Sequence, residues 1–152
     1  MAKGSNCIGL IPSRLSSTRL PGKALADIAG MPLVIHTAKR ALMATQLDEV
    51  FVCTDSTKIA STCHDYGIKT IETSSGCING TERIAEAAKT LEADFFVDIQ
   101  GDEPLIDPNH IDEVVKCLFN IPDNYDIVLP VLKVPYSASE SIVRVQISRS
   151  KR

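Results

Sequence analysis

Residues 7–11 read Cys7-Ile8-Gly9-Leu10-Ile11, a short apolar run that ends at Pro12. A run of this length and composition is typical of a buried β-strand. Similar short runs recur along the chain, and we predict further strands at 49–54, 68–71, 95–99 and 127–132. Because the last of these contains Pro130, it is expected at a sheet edge or with a bulge.

Apolar residues at helical spacing lie between these runs, which predicts a helix in each connection. The first helix begins at Pro32, the second is capped by Asp55 or Ser56, the third is capped by Thr81, and the last surrounds Val114. Strands and helices therefore alternate along the chain. This alternation predicts an α/β fold, Rossmann-like, with a mostly parallel sheet and helices on both faces.

The composition is that of an ordinary globular domain, with 152 residues, 44% hydrophobic and 23% charged. It excludes disorder, collagen and coiled coil, and residues 1–152 are predicted to form a single domain. No apolar run approaches the roughly 18 residues of a membrane-spanning helix, and the N-terminus lacks a signal-peptide pattern. We therefore expect a cytoplasmic protein without membrane contact. Five cysteines without a Cys-x-x-Cys pair predict reduced, mostly buried thiols.

Charge is distributed unevenly along the sequence. Residues 1–47 contain six bases and one acid, whereas residues 98–126 contain eight acids and one base. A protein that handles a polyanion together with a divalent cation needs both kinds of surface, although two ordinary solvated surfaces are the simpler alternative. The net charge of −3 argues against a nucleic-acid partner.

The loop after the first strand is the strongest candidate for binding phosphate. It carries the cations Arg14, Arg19 and Lys23, with Ser13 and Ser17 close to them in sequence. Ligands of parallel sheets bind beyond the carboxyl ends of the strands, where guanidinium groups and backbone amides suit phosphate oxygens. The loop matches neither a Walker A nor a Gly-x-Gly-x-x-Gly pattern. The alternative is a solvated loop with chance cations.

Two later loops also follow predicted strands. Gly80 permits close backbone approach at a helix start whose free N–H groups favour an anion or a base edge, although this loop taken alone is better explained as a simple helix cap. Asp102 and Glu103 follow the fourth strand and precede Pro104. Magnesium is commonly held by one or two carboxylates plus substrate phosphates, so Asp102 is a candidate metal ligand; the alternative is an acidic turn.

These three loops carry motifs that resemble those of the 3-deoxy-manno-octulosonate (Kdo) cytidylyltransferases. The motifs are Ile11-Pro12-Ser13-Arg14 continued by Ser17-Thr18-Arg19-Leu20-Pro21-Gly22-Lys23, then Asn79-Gly80-Thr81-Glu82-Arg83-Ile84-Ala85-Glu86, then Gln100-Gly101-Asp102-Glu103-Pro104. They occur in the family's order, and the resemblance extends from about residue 7 to residue 145. It departs from the family at Ser13, where the family usually has Ala, and at Asn79, where it usually has Ser.

The resemblance implies a nucleotide-binding domain of the nucleotide-diphospho-sugar transferase type. It implies transfer of CMP from CTP to Kdo or a close analogue with release of pyrophosphate, for lipopolysaccharide biosynthesis. Magnesium would be held by Asp102, and Arg19 and Lys23 would stabilise the leaving pyrophosphate. The implied CTP-binding residues are Ser13, Arg14, Ser17, Arg19, Lys23, Gly80, Thr81, Arg83 and Gln100.

The family is considerably longer than this chain, so residues 137–152 are interpreted as the start of a C-terminal part for sugar binding and dimerisation. The full-length protein is expected to be a homodimer. Two alternatives stay open. One is an acylneuraminate or other nonulosonate cytidylyltransferase, whose first motif usually differs from residues 14–19 here. The other is a CTP-binding module without turnover.

Overall fold

The computed structural model describes residues 5–16, 20–122 and 125–131. Its strands are β1 (Cys7–Ser13), β2 (Asp27–Ile28), β3 (Met31–Pro32), β4 (Glu49–Thr54), β5 (Thr70–Glu72) and β6 (Phe95–Asp98). Its α-helices are α1 (Leu33–Ala41), α2 (Thr57–Asp65), α3 (Gly80–Ala88) and α4 (Pro108–Phe119). The main sheet has the order β5-β4-β1-β6 with all pairs parallel, and β2 and β3 form a separate antiparallel pair.

Side chains of the central strand β1 alternate between two apolar layers, as a strand requires. Cys7 and Ile11 belong to a large cluster that includes residues of α1, α2 and α4. Ile8 and Leu10 belong to a smaller cluster on the other face, together with Ala87 of α3. The sheet is therefore covered by helices on both faces, which confirms the predicted α/β architecture.

Helix starts follow local capping chemistry. Ser56 caps α2, because its side chain accepts a hydrogen bond from the amide of Ile59. The prediction that Thr81 caps the third helix is wrong. Asn79 is the cap, since its Oδ1 accepts from the amide of Glu82 at 2.9 Å and the helix thus begins at Gly80.

The connection after β1 folds back on the sheet. The amide of Gly22 donates to the carbonyl of Leu15 at 3.0 Å, and a short 3₁₀ helix, Lys23–Leu25, follows directly. Gly22 has a φ of 69°, a left-handed conformation that glycine adopts without steric cost. This turn brings Lys23 back towards the carboxyl end of the sheet.

The predicted fifth strand is not formed over its described part. Residues 127–131 have no regular secondary structure, and the side chains of Ile127, Leu129 and Val131 are exposed while Val128 packs against the core. Pro130 has no N–H to donate to a ladder, which disfavours pairing of this segment with the edge strand β6. Leu132 and the predicted C-terminal segment 137–152 lie outside the described residues.

Within the described ranges, no helix combines the length and apolar character needed to cross a bilayer.

Candidate functional site

A cleft of about 260 Å³ lies at the carboxyl edge of the main sheet. It is formed by the end of β1 and the loop after it, the start of α3, and the loop after β6. The structure therefore brings the three motifs together. The predicted site residues that line the cleft are Ser13, Arg14, Lys23, Gly80, Arg83, Gln100 and Asp102, joined by Pro12, Ser16, Ala24, Leu33, Asn79 and Gly101.

Three of the predicted site residues are not among the described lining residues. Thr81 lies in the first turn of α3 and is not a lining residue. Ser17 and Arg19 lie outside the described residues, so their assignment to the triphosphate stays a prediction.

Two glycines allow the loops to approach β1 closely. A Cβ placed on Gly101 would lie 2.7 Å from the backbone oxygen of Pro12, closer than real Cβ contacts come. A Cβ on Gly80 would lie 3.2 Å from Cγ of the same proline. The glycines of the second and third motifs therefore pack both loops against the end of β1, which closes the inner side of the cleft.

Lys23 and Asp102 form an ion pair across the cleft. The Lys23 Nζ lies 2.5 Å from Asp102 Oδ2, and the two side chains are 38% and 49% exposed. Exposed pairs of this kind contribute about 0–1 kcal/mol to stability, because water screens them. A ligand that offers a phosphate to Lys23 and a cation to Asp102 can therefore replace this contact at small cost.

The side chains around Asp102 are suited to a metal cation that is also coordinated by the phosphate oxygens of a ligand. Within the part of the chain that the structure describes, no three His, Cys, Asp or Glu side chains gather into a metal cage. Asp102 is the acid among the described lining residues. Magnesium usually keeps several waters and is held by one or two carboxylates plus substrate phosphates, so one carboxylate beside cationic side chains suits it.

Gln100 is held by a neighbouring carboxyl group. Its Nε2 donates to Asp98 Oδ1 at 2.8 Å. Desolvation raises the pKa of Asp98 above its ordinary value, and the hydrogen bond from Gln100 opposes this rise. The amide of Gln100 is thus oriented at the cleft edge by the end of β6.

Arg83 is almost completely buried although it lines the cleft, with 3% of its surface exposed. Its Nη1 donates to Thr73 Oγ1 at 2.5 Å and to the carbonyl of Ser74 at 3.5 Å, and its Nη2 lies 3.4 Å from Asp55 Oδ1. Neither Asp55 nor Thr73 was predicted as a site residue. Their positions directly after β4 and β5, at the same sheet edge as the motifs, were the available signal.

The loop before α3 is held by side chains of that helix. Glu86 accepts hydrogen bonds from the amide of Ser74 at 2.7 Å and from the Cys77 thiol at 3.2 Å. Glu82 accepts from the amide of Ile78 at 2.8 Å, and Arg14 donates to the carbonyl of Ile78 at 3.4 Å. The second motif therefore fixes the shape of its own preceding loop.

Two side chains of helix α1 donate hydrogen bonds to backbone carbonyls in and just after the third motif. Thr37 is fully buried, and its hydroxyl donates to the carbonyl of Gly101 at 3.2 Å. Arg40 Nε donates to the carbonyl of Ile106 at 2.9 Å. Neither residue was predicted to act at the site, because their proximity to the third motif depends on how α1 packs against β1, β4 and α4.

The family assignment follows from the match of residues 8–146 to the model for cytidylyltransferases. The chain belongs to this family. A 3-deoxy-manno-octulosonate cytidylyltransferase from Chlorobium limicola is 42% identical over 149 residues, which cover 95% of this chain and 60% of that protein. The predicted resemblance to the Kdo cytidylyltransferases is thereby confirmed. This cytidylyltransferase-family chain spans about 60% of the length of that curated relative.

Solved structures agree with the family assignment. A CMP-2-keto-3-deoxy-manno-octonic acid synthetase in complex with CTP matches with a TM-score of 0.76 at 36% identity, over 78% of this chain and 49% of that chain. A nucleotidyl transferase from Methanothermobacter matches with a TM-score of 0.66 at 15% identity, over 74% of this chain and 58% of that chain. Because the second match is only 15% identical, it is evidence of a shared fold alone.

Proposed function

We propose that this chain carries the nucleotide site of an enzyme that transfers CMP from CTP to Kdo or a close analogue and releases pyrophosphate. The observation that carries the proposal is one cleft in which Arg14 and Lys23 of the first motif face Asp102 of the third. The activated sugar would serve lipopolysaccharide biosynthesis. The names of the relatives support the sugar, and the motif residues in the cleft support the nucleotide.

In this reaction the anomeric hydroxyl oxygen attacks the α-phosphorus of CTP, and the bond to the β,γ-pyrophosphate breaks. The proton of the hydroxyl is released to solvent. Transfers of this kind depend on positioning and charge neutralisation more than on a protein nucleophile. The cleft suits them, because its described lining contains cations and backbone amides and neither cysteine nor histidine.

Each cleft residue has a role in this proposal. Arg14 and Lys23 bind the triphosphate, and Lys23 neutralises the charge that develops on the leaving pyrophosphate. Asp102 would hold Mg²⁺, which when bound supplies further neutralisation of the phosphate charge. The nucleotide is lined by Ser13, Gly80, Arg83 and Gln100, while Ser17, Arg19 and Thr81 remain predicted CTP-binding residues.

Binding of the nucleotide must separate Lys23 from Asp102. The ammonium group turns to the phosphates, and the carboxylate is then available to the cation. Each partner of the pair exchanges its opposite charge for one carried by the ligand, so both Lys23 and Asp102 stay compensated.

A pyrophosphate-release assay with CTP, Kdo and Mg²⁺ tests the proposal. We expect release with Kdo and a loss of turnover in Asp102→Asn, whereas Glu103→Gln, the same change at the adjacent residue, keeps most of it. Near-normal rates in Asp102→Asn would refute the role of Asp102. Turnover with sialic acid and not with Kdo would favour the nonulosonate alternative, and CTP binding without pyrophosphate would favour a binding module.

Location and assembly are further parts of the proposal. Five free cysteines fit the reducing environment of the cytoplasm. A homodimer is implied by the resemblance of the motifs. Light scattering of the full-length protein after size-exclusion chromatography tests it, with the mass of two chains as the expected result.

A further inference from the structure

Arg83 has an unusual position for a residue of a polar cleft. Its guanidinium is nearly withdrawn from solvent, and a buried charge is costly unless it is paired and hydrogen-bonded. Thr73, Ser74 and Asp55 supply those partners, at 2.5, 3.5 and 3.4 Å. The guanidinium thus connects α3 to the ends of two neighbouring strands.

Neither Asp55 nor Thr73 is among the described residues that line the cleft. Asp55 follows β4 and is partly exposed, while Thr73 follows β5 and is buried. The amide of Thr73 also donates to the carbonyl of Thr54 at 3.0 Å, which ties the two strand ends together. Asp55 and Thr73 therefore lie at or next to strand ends that are joined to each other.

We propose that Asp55 and Thr73 are positioning residues that hold Arg83 in the orientation in which it binds the nucleotide, so that CTP affinity depends on two residues outside the cleft. The inference rests on the proposed function, because it requires a nucleotide in this cleft. Arginine has many rotamers, and a group fixed before binding loses less conformational freedom when the ligand arrives.

The contacts assign different tasks to the two residues. The Thr73 hydroxyl accepts the shorter of the two hydrogen bonds from Nη1, so a side chain of the same shape without the hydroxyl removes this contact and little else. Asp55 compensates the charge at Nη2, and an amide at that position keeps the size but not the charge.

The test is the affinity for CTP with Mg²⁺, measured by calorimetry on the full chain, together with the thermal midpoint of each variant. We expect Thr73→Val to weaken CTP binding about tenfold and Thr73→Ser, which retains the hydroxyl, to bind as the wild type does. Thr70→Val, the same change within β5, is the matched control. Asp55→Asn is expected to weaken CTP binding by a similar factor, with exposed Asp65→Asn as its control. If Thr73→Val does not fold, the CTP affinity of Asp55→Asn tests the inference in its place.

A double variant separates positioning from general damage. In an Arg83→Lys background, which lacks the fork that Thr73 and Asp55 hold, Thr73→Val should cause no further loss of affinity. A further loss of the same size, or equal affinities of Thr73→Val and Thr73→Ser, overturns the inference while leaving the proposed function intact. A wild-type chain that does not bind CTP overturns both.

Discussion

Lys23 and Asp102 are 79 positions apart in the sequence and in contact in the structure. The motifs predicted that both residues belong to one site, because loops after parallel strands meet at the carboxyl edge of the sheet. They did not predict that the two side chains pair with each other, since that depends on the turn at Gly22 which returns Lys23 to the sheet.

The same limit applies to Arg83. Its position in the second motif predicted that Arg83 lines the nucleotide pocket, and Arg83 does line the cleft in the structure. Its partners come from the ends of β4 and β5, outside every motif. Contacts between elements that are distant in sequence follow from the packing of those elements, which a single sequence does not specify residue by residue.

A substitution at Gly101 tests the close packing of the inner side of the cleft. Gly101→Ala places a methyl group 2.7 Å from the Pro12 oxygen, so the third motif must shift. We expect a loss of about 1–3 kcal/mol in the free energy of unfolding, the usual cost of overpacking, together with weaker CTP binding. Urea unfolding measures the first and calorimetry the second.

Gly76→Ala is the matched control for that substitution. A Cβ there meets the end of the Ser74 side chain at 3.2 Å, and a side-chain end gives way more readily than backbone. Equal stability of the two variants would show that the third motif does not pack against Pro12 as described.

At the scale of elements, capping explains one wrong prediction. Thr81 and Asn79 are both good N-caps, but a cap at Asn79 has Glu82 three residues later, the spacing of a capping box. The backbone amide of Glu82 donates a hydrogen bond to Oδ1 of Asn79, and the carboxylate of Glu82 accepts one from the backbone amide of Ile78. That spacing was the signal in the sequence that favours Asn79.

The strands were predicted best where apolar residues are continuous. Residues 49–54 form β4 as predicted, whereas the third strand begins at Thr70 and not at Ile68, which instead packs in the core beside α2. The segment 127–131 has the apolar composition of a strand without forming one. An apolar composition indicates that side chains are buried, but it does not indicate whether the backbone pairs with a neighbouring strand.

A buried carboxylate connects helix α4 to the loop that follows α1. Asp112 accepts hydrogen bonds from the amides of Thr45 and Gln46 at 2.8 and 2.9 Å and from the Thr45 hydroxyl at 2.8 Å. Burial acts to raise the pKa of Asp112, but these hydrogen bonds outweigh it and hold the pKa below its ordinary value. The carboxylate therefore stabilises the fold in its charged form.

Asp112→Asn should lower the free energy of unfolding at pH 7 by about 1–3 kcal/mol, because an amide does not satisfy all three donors. A carboxyl group with a lowered pKa in the folded state contributes stability above its unfolded pKa of about 4, and this contribution is lost as the pH falls through the folded value. The difference between wild type and variant should thus shrink at acidic pH. Urea unfolding at pH 7 and in steps down to about pH 2 measures it, with exposed Asp65→Asn as control; a constant difference across this range would contradict the account.

At the scale of the whole molecule, two apolar layers on opposite faces of one sheet account for the burial of the cysteines. Cys7 and Cys63 lie in the larger cluster and Cys53 in the smaller one. Burial raises the pKa of Cys7 and Cys63 to about 11 and that of Cys53 to about 12. The composition predicted buried thiols but not which of the five are buried.

Alkylation of the native chain at pH 8 should therefore label Cys117, which is exposed, and more slowly Cys77, which is partly exposed and hydrogen-bonded to Glu86. The three buried thiols should react once the chain is unfolded in urea. Intact-mass spectrometry counts the labels. Rapid labelling of a third thiol in the native state would show that a core layer is open.

The extent of the domain stays a prediction at this scale. Residues 1–152 were interpreted as one nucleotide-binding domain, with residues 137–152 as the start of a further part. The described core extends from Cys7 to Leu118 and the described cleft lining from Pro12 to Asp102, so both lie before residue 137.

The central claim is that the first and third motifs form one binding site for a triphosphate with its cation. A calorimetric titration of CTP with Mg²⁺ into the wild-type chain and into Lys23→Gln tests it most directly. Lys69→Gln is the matched control, because Lys69 forms an exposed pair of 2.6 Å with Glu49 at the amino end of β4, away from the cleft.

We predict one CTP bound per wild-type chain, the same affinity in Lys69→Gln, and binding weakened at least about tenfold in Lys23→Gln, the loss expected for hydrogen bonds to a charged group. Absence of binding by the wild type, or equal affinities of Lys23→Gln and Lys69→Gln, would contradict the claim.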